Sequence, residues 1–215
     1  MERRITVKGT GQVSIKPDLV VLALRLDSLN MDYEKAMELA TRSVEELNTI
    51  LSEVGFKKED LKTTNFNVTT QYRNQQNKNG EYIQIFEGYL VNHELKLEFD
   101  FDQEQLTRTL SAIALAKATP KLDIQFSIKD KTEVSEQLLF KATENAKNKA
   151  VVLAKASGVA LGELLFIDYN WGELHLYSDT RYDIQPKLME LSFAPSIEPE
   201  DISLSDNVTF VWAIE

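Results

Sequence analysis

Cysteine is absent from this chain of 215 residues. Its absence removes disulfides, thiolate metal sites and a cysteine nucleophile together, yet leaves the compartment open, because exported bacterial proteins can also lack the residue. Histidine is nearly absent. His93 and His175 are the only imidazoles, and the sequence offers no His-x-x-x-His pair, no zinc helix bearing a glutamate and no Gly-x-Ser-x-Gly elbow. Long apolar runs are missing too: the longest, Leu19 to Leu24, falls far short of the roughly 20 residues of a membrane-spanning helix. Before the first patterned segment stand only Met1-Glu2-Arg3-Arg4. With no apolar segment of signal-peptide length, the chain as written is expected to be cytoplasmic, and exported to the periplasm or envelope only if a leader has been removed. Basic residues are in deficit, 24 against 34 acidic, for a formal charge of -10. Such a field repels nucleic acid and anionic membrane surfaces, so no nucleic-acid partner and no membrane span are expected.

What is present is patterned. Ile5, Val7, Gly9, Gly11, Val13 and Ile15 alternate with polar residues, the signature of a strand with one buried face. Pro17-Asp18 turns the chain into a second strand, Leu19 to Asp27, apolar on both faces. A helix follows from about Asp32 to Val54, with Ala36, Leu39, Ala40, Leu47 and Leu51 at three- and four-residue spacing and Gly55 at its end. Thr64, Phe66, Val68, Thr70 and Tyr72 form a third strand, and Arg73 to Glu81 a polar hairpin tip. The return strand, Ile83 to Phe99, is long enough to span two lobes, with Gly88 permitting a bend. Asp102 with Gln105 three residues on starts a second helix. Leu122 to Ile128 is a fifth strand. A third helix runs from Asp130 or Thr132 to Gly158 with small inward residues (Leu138, Leu139, Ala142, Ala146, Ala150, Leu153, Ala154), and a sixth strand from Leu164 to about Tyr177. An irregular loop, about 178–206 and holding Pro186, Pro195 and Pro199, precedes a final strand from Val208 to Ile214. The expected architecture is α+β: a largely antiparallel sheet with three helices packed on it, in the order ββαββαβαββ, with two interlocked lobes in a single domain over 1–215.

Few residues invite a chemical reading. Gly9-Thr10-Gly11 lies inside an alternating strand and not at a strand-to-helix turn, so its glycines read as structural. The acidic residues Asp179, Asp183, Glu190, Glu198, Glu200 and Asp201 lack the order of a calcium loop and read as solvated. Tyr169, Trp171, Tyr177, Phe210 and Trp212 read as core or subunit-contact aromatics. No catalytic, cofactor or metal residues are assigned, and no cofactor is expected.

Ile5-Thr-Val-Lys-Gly-Thr-Gly11 followed by Pro17-Asp18, Asp60-Leu-Lys-Thr63, Phe86-Glu-Gly-Tyr89, Ile124-Gln-Phe126, Lys147-Asn-Lys-Ala-Val-Val-Leu-Ala154 and Val208-Thr-Phe-Val-Trp-Ala-Ile214 occur in an order that resembles the SIMPL-domain family. That family is of unknown function and includes a bacterial periplasmic immunogenic protein. The resemblance implies an α+β fold, a tendency to form homo-oligomers, and a loose link to stress tolerance and the cell envelope; it carries no catalytic residues. The doubly apolar second strand and the missing catalytic set point to a non-enzymatic, self-associating scaffold or binding protein. The alternative is a small-ligand binder or enzyme using a cleft between the lobes, with His93 and Tyr89 as its candidate residues.

Overall fold

The computed structural model describes residues 3–76, 80–170, 174, 176–180 and 197–215, together with the backbone of 182–184. The chain forms two compact units, one from residues 1–17, 127–179 and 199–215, the other from 18–126 and 180–198. Each has its own antiparallel sheet, so the α+β class holds while the single sheet expected from the sequence becomes two.

The first unit joins β1 (Arg4–Ile15), β8 (Ile202–Ile214) and β6 (Leu161–Asp168) in the order β1-β8-β6, under helix α3 (Lys131–Ala156). Residues near the two chain ends pair over twelve positions, from Arg4 with Ala213 to Ile15 with Ile202. The alternation of β1 aims Val7, Gly9, Gly11 and Val13 at the helix, where Val134, Leu138, Ala142, Ala146, Ala150 and Ala154 are buried. The glycines set the spacing. A Cβ added to Gly9 would stand 2.7 Å from the Ala146 Cβ and closer still to the Ala142 carbonyl oxygen, and one on Gly11 would run into the Leu138 carbonyl. Small residues on both partners therefore let helix backbone lie directly on strand backbone. Burial on α3 follows every fourth residue. Leu153, expected inside, is about 100° round the helix from Ala154 and 48% exposed.

The second unit orders its sheet β3-β4-β2-β5-β7, from β2 (Leu19–Asn30), β3 (Leu61–Gln76), β4 (Tyr82–Asp100), β5 (Lys121–Ser127) and a short β7 (Tyr182–Ile184) absent from the sequence reading. Helices α1 (Tyr33–Glu53) and α2 (Gln103–Ala114) cover one face. Val20, Leu22, Leu24 and Leu26 of β2 meet Leu47, Leu51, Leu106, Leu110 and Ile113 there, with Ile124 and Phe126 of β5. All three helices begin as the sequence indicates. The carboxylates of Asp32, Asp102 and Asp130 accept the backbone N–H of Lys35, Gln105 and Glu133 at 3.2, 2.7 and 2.9 Å, caps worth about 1 kcal/mol each. The Gln105 Nε2 also donates to the Val54 carbonyl at 3.0 Å, which satisfies an end group that α1 leaves unpaired.

Several strands differ from expectation in extent or placement. β4 does not pass between lobes; it lies wholly in the second unit, because its first part pairs with β3 in a two-stranded arm beyond the end of β2 at Asn30. Arg73 to Gln76 belong to β3 and not to a hairpin tip: they face Ile85 to Tyr82 in register, and an edge strand wet on both sides needs no apolar alternation. The register shifts at Gly88, whose φ of 139° few side chains tolerate and whose absent Cβ makes room for the Asn30 carbonyl. β6 ends at Asp168, and β8 begins at Ile202, so the tail of the expected loop is strand. Trp171 lies outside the described residues.

Candidate functional site

The outer face of the second unit's sheet, away from its helices, is polar where β2, β4 and β5 adjoin. Ala23, Arg25 and Asp27 of β2 pair with Lys96, Glu94 and Asn92 of β4. Asp27 is the hub. Its carboxylate accepts from Asn92 Nδ2 at 2.6 Å, Lys121 Nζ at 2.9 Å and Arg25 Nε at 3.2 Å. Partial burial alone would raise the Asp27 pKa, but the hydrogen bonds from Lys121, Arg25 and Asn92 outweigh it and hold the carboxyl below its ordinary 3.8. Beside this network a cavity of about 500 Å³ is lined by Ala23, Arg25, Thr64, Glu94, Lys121 and Asp123, among others. Its volume falls within the range of small-molecule sites, and both cations that line it, Arg25 and Lys121, are already engaged by Asp27.

The sign of the Asp27 shift fixes its pH dependence. A carboxylate whose folded pKa is depressed contributes stability above its unfolded pKa and loses it as pH falls through the folded value. Wild type is therefore expected to lose stability below about pH 4 through this group, whereas Asp27→Asn is expected to lack that part of the acid limb. The difference should be about 1 kcal/mol or less, because Arg25 and Lys121 are solvent-exposed. Urea titrations of both proteins at pH 7 and pH 3 check it; equal acid sensitivity would show that the network is neutral.

The two cleft candidates do not meet. His93 and Tyr89 are both on β4, four residues apart, hence about 13 Å along the strand, and buried Val91 stands between them. The His93 Nε2 shares a 2.8 Å hydrogen bond with Thr63 Oγ1, and its ring sits edge-on to Phe66. Burial lowers its pKa. Tyr89 packs edge-on against Tyr33 and Phe86. Neither lines the cavity. His175 and Glu190 lie outside the described residues, as does the side chain of Asp183. Among the described residues no three histidine, aspartate or glutamate side chains gather in a way that would hold a metal ion. Tyr169 donates to Asp206 at 2.9 Å, and desolvation with that carboxylate's hydrogen bond and charge raises its pKa. Phe210 and Trp212 are buried and stacked at 5.4 Å.

The first unit carries a different kind of surface. Among the described residues β6 is an edge strand, and Leu164, Leu165, Phe166 and Ile167 are 47, 36, 59 and 49% exposed. Pairing with β8 places Leu164 opposite Trp212, Phe166 opposite Val211 and Ile167 opposite Phe210, with register shifts between. Partners across a ladder share a face, so Leu164 and Ile167 extend the helix-covered side while Phe166 points to the other. Phe140 and Val152 of α3 are each 65% exposed. The sequence places Phe166 in a strand without assigning it a face. The signal was nonetheless legible: four consecutive apolar residues make a strand apolar on both faces, and an edge leaves one of them wet.

A family model for SIMPL, described as a protein of unknown function, matches residues 5–212. Among curated proteins the chain is similar to the 26 kDa periplasmic immunogenic protein of Brucella melitensis, 24% identical over 164 residues. The match covers 76% of this chain and 65% of the relative, so the chain spans less than two thirds of that protein's length.

Proposed function

Because the chain belongs to the SIMPL family, we propose that it is a non-enzymatic, self-associating scaffold or binding protein whose contact surface is the apolar edge of β6. One observation carries the reading: four consecutive exposed apolar side chains on a strand at the margin of its sheet. Such an edge offers unpaired backbone groups and grease at once, and folded proteins that keep one exposed generally use it. A bacterial, cell-envelope setting is supported by the periplasmic relative, and residues 1–215 are taken as a single SIMPL-like domain. The cavity beside Asp27 would serve the small-ligand alternative, but neither His93 nor Tyr89 reaches it.

The test is a pair of lysines, one on each face of the edge: Phe166→Lys with Ile167→Lys. Burying charges without partners costs several kcal/mol, so association is expected to weaken by about 100-fold or more. Light scattering behind size exclusion, with circular dichroism to show that the variant folds, reads the outcome. A folded double variant that associates as wild type does would remove β6 from the account.

A further inference from the structure

We propose that the outer edge of β3, in the second unit, is a strand-addition site for an extended, acidic polypeptide segment of another protein. β3 is the terminal strand of its sheet and pairs, among the described residues, with β4 alone. Thirteen of its sixteen residues are exposed. Between register shifts at Thr63/Asn65 and Gln71/Tyr72 it runs regularly, with Asn65 to Gln71 uncharged. Edge strands usually deter pairing by bulges and charges along their length; here the bulges bracket seven plain residues.

The charge of this edge is set against the rest of the chain. From Leu61 to Gly80 there is no aspartate or glutamate, although the chain has 34 in 215 residues, and there are three cations, Lys62, Arg73 and Lys78. Lys62 and Arg73 flank the regular stretch. Lys62 stands directly opposite Lys96, an arrangement of like charges that is unfavourable. Lys96 turns to Glu98 at 2.9 Å and Arg73 to Glu87 at 3.3 Å, yet an acid on an added strand would complement both flanking cations. The pattern of the ladder gives the occupant a second property. Phe66 and Val68 share the face of His93 and Val91, and Asn65 and Asn67 share that of Glu94 and Asn92. A fitting segment therefore alternates, with β-branched or aromatic residues over Phe66, which is 45% exposed, polar residues on the other face, and acids at its ends.

A second copy of this edge would bring Lys62 and Arg73 against cations of the same kind. Nucleic acid supplies negative charge but no backbone amides to continue a ladder. The complementarity thus selects an acidic peptide, and the site is independent of the β6 contact.

The probe is a synthetic twelve-residue peptide with glutamates at both ends and alternating valine and threonine between them, matched to the stretch from Lys62 to Arg73, added to the full chain at low salt, and a second peptide with lysines in place of the glutamates. The expected result is that the glutamate peptide binds about tenfold more tightly than the lysine peptide, with the preference reduced by salt and amide-exchange protection confined to β3. The charge-reversed chain, Lys62→Glu with Arg73→Glu, should invert the order. Equal affinities, no binding by either peptide at millimolar concentration, or protection on another strand would each overturn the proposal. So would a change in self-association caused by the charge reversal alone, since that would give the edge to a second copy.

Discussion

Gly11→Val is expected to destabilise the first unit by about 3 kcal/mol or more, at the upper end of what overpacking usually costs. The reason is the nature of the obstacle. Flexible neighbours absorb an added methyl group by changing rotamer, but what a Cβ on Gly11 meets is the Leu138 carbonyl and the Ala142 backbone nitrogen, both held in the hydrogen-bond ladder of α3. Relief requires lifting the helix off the sheet, which opens the contact among Val7, Ala142, Ala146, Ala150, Val208, Phe210 and Trp212. For a chain of this size that corresponds to a fall in Tm of roughly 10 °C. Gln12→Val, one residue along and facing solvent, is the matched control and should stay within about 0.5 kcal/mol. Near-ultraviolet circular dichroism, to which the stacked Phe210–Trp212 pair contributes, follows the transition. Equal melting of the two variants would mean that helix and strand are not in backbone contact.

Phe126→Ala is expected to cost the second unit about 3–5 kcal/mol. Phe126 is fully buried, meets Phe101 edge-on at 5.4 Å, and belongs to the cluster in which β5 and β2 face α1 and α2. Its removal leaves a void among side chains from four elements that cannot all move inward together. Phe140→Ala, which deletes the same ring from a site 65% exposed, should change stability by less than about 0.5 kcal/mol. Urea titration of the two variants side by side checks the contrast, and a loss for Phe126→Ala below 1 kcal/mol would contradict the packing described.

Local signals were legible and distant ones were not. Asp32, Asp102 and Asp130 could be read as helix starts because a cap and the amide it satisfies are three residues apart. The small face of α3 could be read from its spacing as well. What that face met could not: Gly9 and Gly11 looked structural within β1, but their partners lie well over a hundred residues away in α3. The same limit explains β4. Its length suggested a strand shared by two lobes, whereas pairing assigns the excess to an arm with β3. For the surfaces, alternation tells which residues share a face and nothing about whether a neighbouring strand covers it. Phe166 and Phe66 could therefore be placed in strands but not on a covered or an open face, and an edge position turns both toward solvent. His93 and Tyr89 were singled out by residue type alone, and the strand that carries both holds them apart.

Sedimentation velocity of the unmodified chain over a dilution series reaching down from tens of micromolar tests the central claim most directly. Self-association through β6 predicts a boundary faster than the monomer's that slows on dilution or, for a tight assembly, persists throughout. A single monomeric boundary at every concentration would contradict it.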